Sequence, residues 1–355
     1  KTKTKIEGVN MTRIIPYFVE GHTGKGYINL IENNITSLEK VVFLQNKNPF
    51  VLAYIFQMLR DEILFNINSP VEIIQSIERS DYIDGIIVRN LGVAILNEKL
   101  NHSLNTMKEK VQLLEVPISL SNRLVTLDHK RQIQRAYEHF QKGLTIHEEL
   151  ERVYINEMDF TKADKVIDKL LHSLFNEVEK MEGPFSKVER LFGTNTPDGI
   201  VNKIPQLIEG FTKKIFITGR AGTGKSYLMN QVVKRCQELS LNVEIYRCSL
   251  DPDSIDMLLI RDLNVCIHDN TSPHIVSLDE DVEIIDMFKE TVNEKVETIE
   301  RDKINQLQRA YKKEMKLGIQ SLAKLKQTNS VIVTKREQEQ LDRFAKELKN
   351  KFLSP

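Results

Sequence analysis

The residues best placed to do chemistry lie between 219 and 227, in the order Gly219, Arg220, Ala221, Gly222, Thr223, Gly224, Lys225, Ser226 and Tyr227. They follow the apolar run Ile215, Phe216, Ile217 and lead into a helical pattern through Leu228, Val232 and Val233. A strand, a glycine-rich loop and a helix start are the setting a phosphate-binding P-loop requires. The glycines allow positive φ and close backbone approach, so successive N–H groups and the helix N-terminus can converge on an anion. In such a loop Lys225 reaches the β- and γ-phosphates and Ser226 ligates Mg2+. The expectation is a nucleotide site with Gly219 to Tyr227 as the binding residues and with ATP and Mg2+ as cofactors.

A carboxylate should complete the surroundings of the metal. Asp269 ends the hydrophobic run Val265, Cys266, Ile267 as a Walker B aspartate does. Ser226 and Asp269 are thus the metal candidates, and Lys225, Asp269 and Asp251 the catalytic ones. Asp251 opens Asp251, Pro252, Asp253, where carboxylates would hold metal and an acceptor hydroxyl in a small-molecule kinase. An Asx turn with proline at its second position accounts for the same residues equally well. Asn270 rather than Glu follows Asp269, so the usual base of strong motor ATPases is missing there. The nearest match to a guanine-recognition motif, Thr161 to Asp164, does not follow a strand, which favours ATP over GTP.

The elements that must position these residues occur twice. Gly26, Ile31, Ile35, Lys40 and Phe43 match Gly199, Ile204, Ile208, Lys213 and Phe216, 173 residues on. Asp81, Asp84, Arg89, Val93 and His102 match Asp253, Asp256, Arg261, Val265 and His274 at 172, and Gln134 to Tyr137 match Gln308 to Tyr311 at 174. So steady an offset indicates tandem duplication. The expected fold class is α/β, as two tandem P-loop NTPase-like units, each with a mostly parallel sheet in three layers and a long helical extension. Residues 1–10 form an N-terminal extension, 11–183 the first unit and 184–355 the second, divided at the Gly183 to Ser186 turn. The extensions span about 107 to 181 and from about 281 onward, where Phe288, Val292, Val296, Ile299, Leu307, Tyr311 and Met315 recur at helical spacing. They are expected to cover the sheets or pack the copies together rather than to serve as an arm for a protein partner.

Duplication also supplies a control. Gly219 to Ser226 face Asn46 to Ala53, where neither the glycines nor the lysine and serine are kept in place and Pro49 removes a donor. The first unit should bind no nucleotide by this route. Gly21 to Gly26, GHTGKG, mimics the motif but precedes the first helix, and is a decoy. Asp253, Asp256 and His274 persist beside the lost loop as Asp81, Asp84 and His102, and are assigned to the fold. Arg79 and Arg89 are candidates for an arginine finger reaching from the first unit over the second unit's phosphates.

Composition narrows the partners. Fifty Lys+Arg balance fifty Asp+Glu, so no overall basic field points to nucleic acid. Cys236, Cys248 and Cys266 form no CxxC pair and are expected as reduced core residues of a cytoplasmic protein. No apolar run approaches the length of a membrane span, and none follows the N-terminal KTKTK as a signal would require.

The segments GRAGTGKS and DPDSIDMLLIRDLNVCIHDNTSPH, followed by a helical tail and all in tandem copies, resemble a poorly characterised bacterial family of duplicated P-loop ATPases. The resemblance covers most of the chain from about residue 11 and implies nucleotide binding or ATPase activity without naming a substrate. Both copies can carry a P-loop in that family, and residues 46–53 depart from it. The expected function is slow Mg2+-dependent ATP hydrolysis at one site in the C-terminal repeat, coupled to a conformational change between the copies. The alternatives are a small-molecule or nucleotide kinase using Asp251 at the acceptor, and a nucleotide-gated binding module without turnover.

Overall fold

Strand-forming runs with both faces buried build two sheets. In Lys40–Gln45, Val41 and Phe43 enter one apolar cluster while Val42 and Leu44 enter another, as the period-two alternation of a strand dictates. The computed structural model describes residues 13–101, 109–120, 129–277, 282–326 and 333–353. The extension at 1–10 and His102 lie outside them.

The first unit runs β1 (Ile14–Tyr17), β2 (Glu20–Thr23), β3 (Gly26–Asn29), α1 (Ile31–Ile35), β4 (Lys40–Gln45), α2 (Pro49–Asn66), β5 (Val71–Gln75), β6 (Ile83–Val88), β7 (Val93–Asn97) and β8 (Val111–Glu115). Helices α3 (His129–Ile155) and α4 (Phe160–Phe175) follow. The second repeats the series as β9 (Lys187–Arg190), β10 (Gly193–Thr196), β11 (Gly199–Asn202), α5 (Ile204–Ile208), β12 (Lys213–Thr218), α6 (Lys225–Glu238), β13 (Val243–Arg247), β14 (Ile255–Ile260), β15 (Val265–Asp269) and β16 (Val282–Asp286). It ends with α7 (Met287–Thr291), α8 (Val296–Ile299), α9 (Arg301–Ala323) and α10 (Lys335–Phe352).

The six-stranded sheets share one topology, β1-β5-β6-β7-β4-β8 and β9-β13-β14-β15-β12-β16. In each the third strand of that order runs antiparallel to both neighbours and the remaining pairs are parallel, so the sheets are mixed. Even the bulge recurs, between Ile74 and Gln75 and between Tyr246 and Arg247. The chain is therefore α/β with two equivalent units in tandem. Three local expectations change. Residues 282–286, read as helix, form edge strand β16 beside β12, and 111–115 form β8 in the same way. The opening stretch of the second unit, about 199 to 209, whose sequence reads as one helix, begins as β11, paired in a hairpin with β10, and turns helical only in α5. Each run is too short for its periodicity to separate strand from helix.

The helical tails cover the sheets and pack the two units together, as expected. Helices α3 and α9 lie against each other, with Phe140 packed on Gly318 and Met315 on Gly143. The last helices are exchanged. Leu341, Ala345, Leu348 and Phe352 of α10 join α2 over the first sheet, while Ala163, Ile167, Leu170 and Leu174 of α4 join α6 over the second. The inner sheet faces share one core, in which Phe43, Ile74 and Leu96 meet Phe216, Tyr246 and Met257 together with α1 and α5. Gly183 thus divides the repeat in sequence, while the packing crosses it. Among the described residues no helix is long and apolar enough to cross a membrane.

Where the units meet, Arg190 is 1% exposed. Its Nη2 lies 2.9 Å from Glu72 and its Nη1 2.9 Å from Glu244, its Nε donates to Asn34, and its guanidinium stacks 4.0 Å from the centre of the Tyr17 ring. Glu72 and Glu244 are repeat counterparts, each also held by its own arginine, Arg89 or Arg261. Burial pushes the Glu72 carboxyl up, but Arg190 and Arg89 outweigh it and hold the group at about 2. A carboxylate depressed from its ordinary 4.5 stabilises the fold fully above that value and loses the contribution as pH falls toward about 2. The loss amounts to about 3 kcal/mol. Denaturant titrations at pH 7 and pH 3 should record about 2 kcal/mol of it, the rest being lost only below pH 3. Arg190→Met should cost about 3–5 kcal/mol at pH 7 by leaving buried carboxylates underpaired, and should shrink the difference between the two pH values. An unchanged difference would mean that Arg190 does not hold Glu72.

Candidate functional site

The glycine-rich loop is residues 219–224, between the end of β12 and the start of α6. Gly222 and Gly224 adopt φ of 75° and 80°, a region L-residues avoid, and they turn the chain tightly enough for α6 to start at Lys225. The first amides of a helix have no partner inside it and carry its positive dipole end. The Thr223 hydroxyl donates to Arg220 O at 2.8 Å and folds the loop on itself. Lys225 Nζ donates to the same carbonyl at 2.7 Å, so its ammonium lies across the loop.

Asp269 ends β15, in register with Ile217 of the adjacent β12. Its carboxylate therefore comes within 3.7 Å of Lys225 Nζ, and the Thr271 hydroxyl donates to it at 2.6 Å. The Ser226 hydroxyl accepts from Ile255 N at 2.9 Å and ties the loop to the start of β14. Lys225, Ser226 and Asp269 all line one cavity of about 1320 Å3. Arg220 turns aside to Glu297 at 2.6 Å and the Phe288 ring, Ala221 packs among Leu150 and Tyr154, and Tyr227 is 55% exposed. Among the described residues no group of three or more His, Cys, Asp or Glu could hold a metal. The oxygen donors of Ser226 and Asp269 suit a hard cation such as Mg2+, which commonly takes one or two carboxylates and completes its shell with phosphate and water.

Asp251 lines the same cavity, but its carboxylate is engaged. It accepts from Ser254 Oγ at 3.2 Å and Asp253 N at 3.3 Å, the Asx-turn arrangement, and lies 2.7 Å from Lys25 Nζ. Lys25 belongs to GHTGKG, which is the β2–β3 hairpin and docks through Gly24 N on Leu250 O at 2.8 Å. The second hairpin makes the reciprocal contact with opposite polarity, Asp198 accepting from Ser80 N at 3.0 Å and Ser80 Oγ at 2.7 Å.

Other contributors come from elements whose sequence gave no chemical signal. His147, Glu151 and Tyr154 of α3 and Tyr311, Lys312 and Lys316 of α9 line the cavity. The amphipathic pattern of those helices shows that one face is buried but not against what. The arginine-finger candidates do not line it. Arg89 is committed to Glu72, and Arg79 pairs with Asp81 at 2.8 Å and stacks on Tyr82. The equivalence of 46–53 with 219–226 also changes, since α2 already begins at Pro49, capped by Asn48 accepting from Phe50 N at 3.1 Å. Asn46 spends its amide on the Val116 and Ile118 carbonyls at 2.8 and 2.9 Å. Residues 46–48 leave no room for a glycine-rich anion loop.

Asp256, assigned to the fold from its persistence as Asp84, lines the cavity at 7% exposure. Burial and then the Asp269 charge push its carboxyl up to about 7. His274 Nε2 is 3.6 Å from it, and burial brings that imidazole down to about 4, so it is neutral at pH 7. The three cysteines are free, and burial lifts every one of their thiols above its ordinary value, which keeps them from acting as nucleophiles.

The first unit touches the loop directly. A Cβ on Gly222 would fall within 2.8 Å of the Glu151 Cα and closer still to its carbonyl, whereas one on Gly183, also at positive φ, would meet nothing within 4 Å. Gly222→Ala should therefore add a steric cost to backbone strain and destabilise by roughly 2–4 kcal/mol, against about 1 kcal/mol for Gly183→Ala. Equal losses by chemical denaturation would contradict the contact. No family model matches the chain, and no curated protein and no solved structure is found similar to it.

Proposed function

We propose that this chain is a cytoplasmic ATP-binding protein that hydrolyses Mg-ATP slowly at a single P-loop site formed by residues 219–227. The observation that carries the reading is the posture of Lys225. Its ammonium lies across a glycine turn at a helix N-terminus, on Arg220 O at 2.7 Å and 3.7 Å from Asp269. A triphosphate would supply the anion that such amides and such a lysine attract, and Ser226 and Asp269 would hold Mg2+ beside it. Slow turnover is inferred from residue 270. Asn270 uses its side chain on Val276, accepting from the amide at 2.8 Å, and offers no carboxylate to activate water. Coupling between the units follows from the two first-unit contacts at the site, Glu151 on Gly222 and Lys25 on Asp251.

The size of the cavity favours a second reading. About 1320 Å3 exceeds the roughly 300–1,000 Å3 of a typical single-ligand site. The space beyond the phosphates would admit an acceptor, as a small-molecule kinase needs, with Asp251 at its edge.

Isothermal titration with Mg-ATP should give one site per chain, weakened roughly a hundredfold in Lys225→Ala, the worth of a charged hydrogen bond. Asp269→Asn should blunt the Mg2+ dependence. Phosphate release without any added acceptor supports the ATPase, and ADP formation that requires an acceptor and disappears in Asp251→Asn supports the kinase. If Lys225→Ala bound ATP like the parent, the nucleotide would lie elsewhere.

A further inference from the structure

The two units differ in how they treat one buried carboxylate. Asp84 and Asp256 are repeat counterparts, each at the β-bulge where the antiparallel strand enters its sheet. Bulges of this kind re-aim side chains beside functional positions. In the first unit, Asp84 Oδ1 accepts from Asn97 at 3.0 Å and Oδ2 lies 2.6 Å from Lys99 Nζ. The same ammonium is 3.5 Å from Glu20 and donates to Ser76 Oγ at 3.2 Å. The first unit thus carries its own cation, fixed among oxygens, next to Asp84.

In the second unit the register that aligns Leu44 with Asn97 aligns Ile217 with Asp269, so Asp269 replaces Asn97, and Thr271 replaces Lys99. One substitution adds a negative charge and the other removes a positive one. Asp256 remains 7% exposed and lines the cavity, and its buried Oδ2 has no hydrogen-bond partner and only the neutral His274 Nε2 nearby, at 3.6 Å, where Asp84 Oδ2 has the Lys99 ammonium at 2.6 Å. Buried polar groups are rarely left in this state, and an unpaired one commonly marks a missing ion or water. Lys225 offsets part of the charge by approaching Asp269 from the loop, but that ammonium is the group a phosphate would draw away.

We infer that Asp256 and Asp269 together form a divalent-cation site, for which the first unit substitutes the ammonium of Lys99. The inference rests on the proposed Mg2+ role of Asp269 and adds Asp256 as its second carboxylate. Two carboxylate oxygens, a serine hydroxyl and water make a hard-oxygen set suited to Mg2+ or Mn2+.

Mn2+ is the probe, titrated into the full chain without nucleotide, with free Mn2+ read from its electron paramagnetic resonance signal. The expected result is one Mn2+ per chain, displaced by excess Mg2+. Asp256→Asn should weaken it at least tenfold, and Thr271→Lys, which restores the first unit's cation, should abolish it while raising the melting temperature of the metal-free protein. Lys225→Ala should keep Mn2+ even where ATP binding is lost, so failure of the nucleotide reading and failure of this one are separable. No bound Mn2+ in the parent, or parental affinity in Asp256→Asn, would overturn the proposal. Should Asp256→Asn not fold, full Mn2+ binding by Thr271→Lys would overturn it alone, and loss of binding with a raised melting temperature would support it.

Discussion

Arg190 sits where both sheets must agree. Its guanidinium bridges Glu72 of one sheet and Glu244 of the other, and Arg89 and Arg261 flank the pair, so charges alternate through the shared core. A buried ionic chain of this kind is poor evidence for net stability, because desolvation offsets much of the attraction. What it constrains is geometry. Sliding either sheet by a residue would strand a charge in an apolar core at a cost of several kcal/mol. Glu72 and Arg89 could pair within one unit, as could Glu244 and Arg261, but Arg190 is satisfied only when both units are in place. The position opposite it in the repeat is Tyr17, which stacks on it and donates to Glu72 at 2.7 Å, so the centre of an otherwise symmetric arrangement holds one arginine and one tyrosine.

The exchanged helices follow from the same joining. Burying Leu341, Leu348 and Phe352 of α10 on the first sheet is worth about 1.5–3 kcal/mol each. Together that is comparable to the whole stability of an ordinary domain. Neither sheet is therefore expected to stand without the helix that follows the other, and the first unit persists for reasons beyond any chemistry of its own. It supplies the second unit with an outer layer through α4, a wall of the cavity through α3 and a cation to Asp251 through Lys25.

Much of this was legible in sequence because the repeat is preserved in spacing. The constant offset anticipated two equivalent sheets, and the context of Gly219 to Ser226 anticipated a strand, a glycine turn and a helix start in that order. Partners across the repeat were not legible. The pattern of α10 marks Leu341, Ala345 and Leu348 as one buried face but carries no information on which sheet receives it, since apolar burial is non-directional. Short runs such as 282–286 lacked the length to declare their period. GHTGKG had the glycines of an anion loop without the following helix, and its lysine instead meets Asp251, a pairing that no spacing in the sequence announces.

Comparing copies for identity alone also passes over how the surroundings of a shared residue differ. Asp256 looked structural because Asp84 persists, yet the surroundings of the two carboxylates are opposite: Lys99 closes the first, and Asp269 adds charge to the second. A residue kept in both copies can bear a ligand in one and an internal substitute for it in the other, provided a neighbour changes sign. The lost loop shows the same logic. Where the second unit holds glycines open at positive φ, the first starts α2 at Pro49 and ties Asn46 to the carbonyls of Val116 and Ile118. Loss of a binding site in a fold that must still pack requires each freed donor and charge to find a partner inside the protein. In the first unit those partners are Lys99, beside Asp84, and the Val116 and Ile118 carbonyls, on Asn46, and it is against them that the proposed cation site of the second unit is drawn.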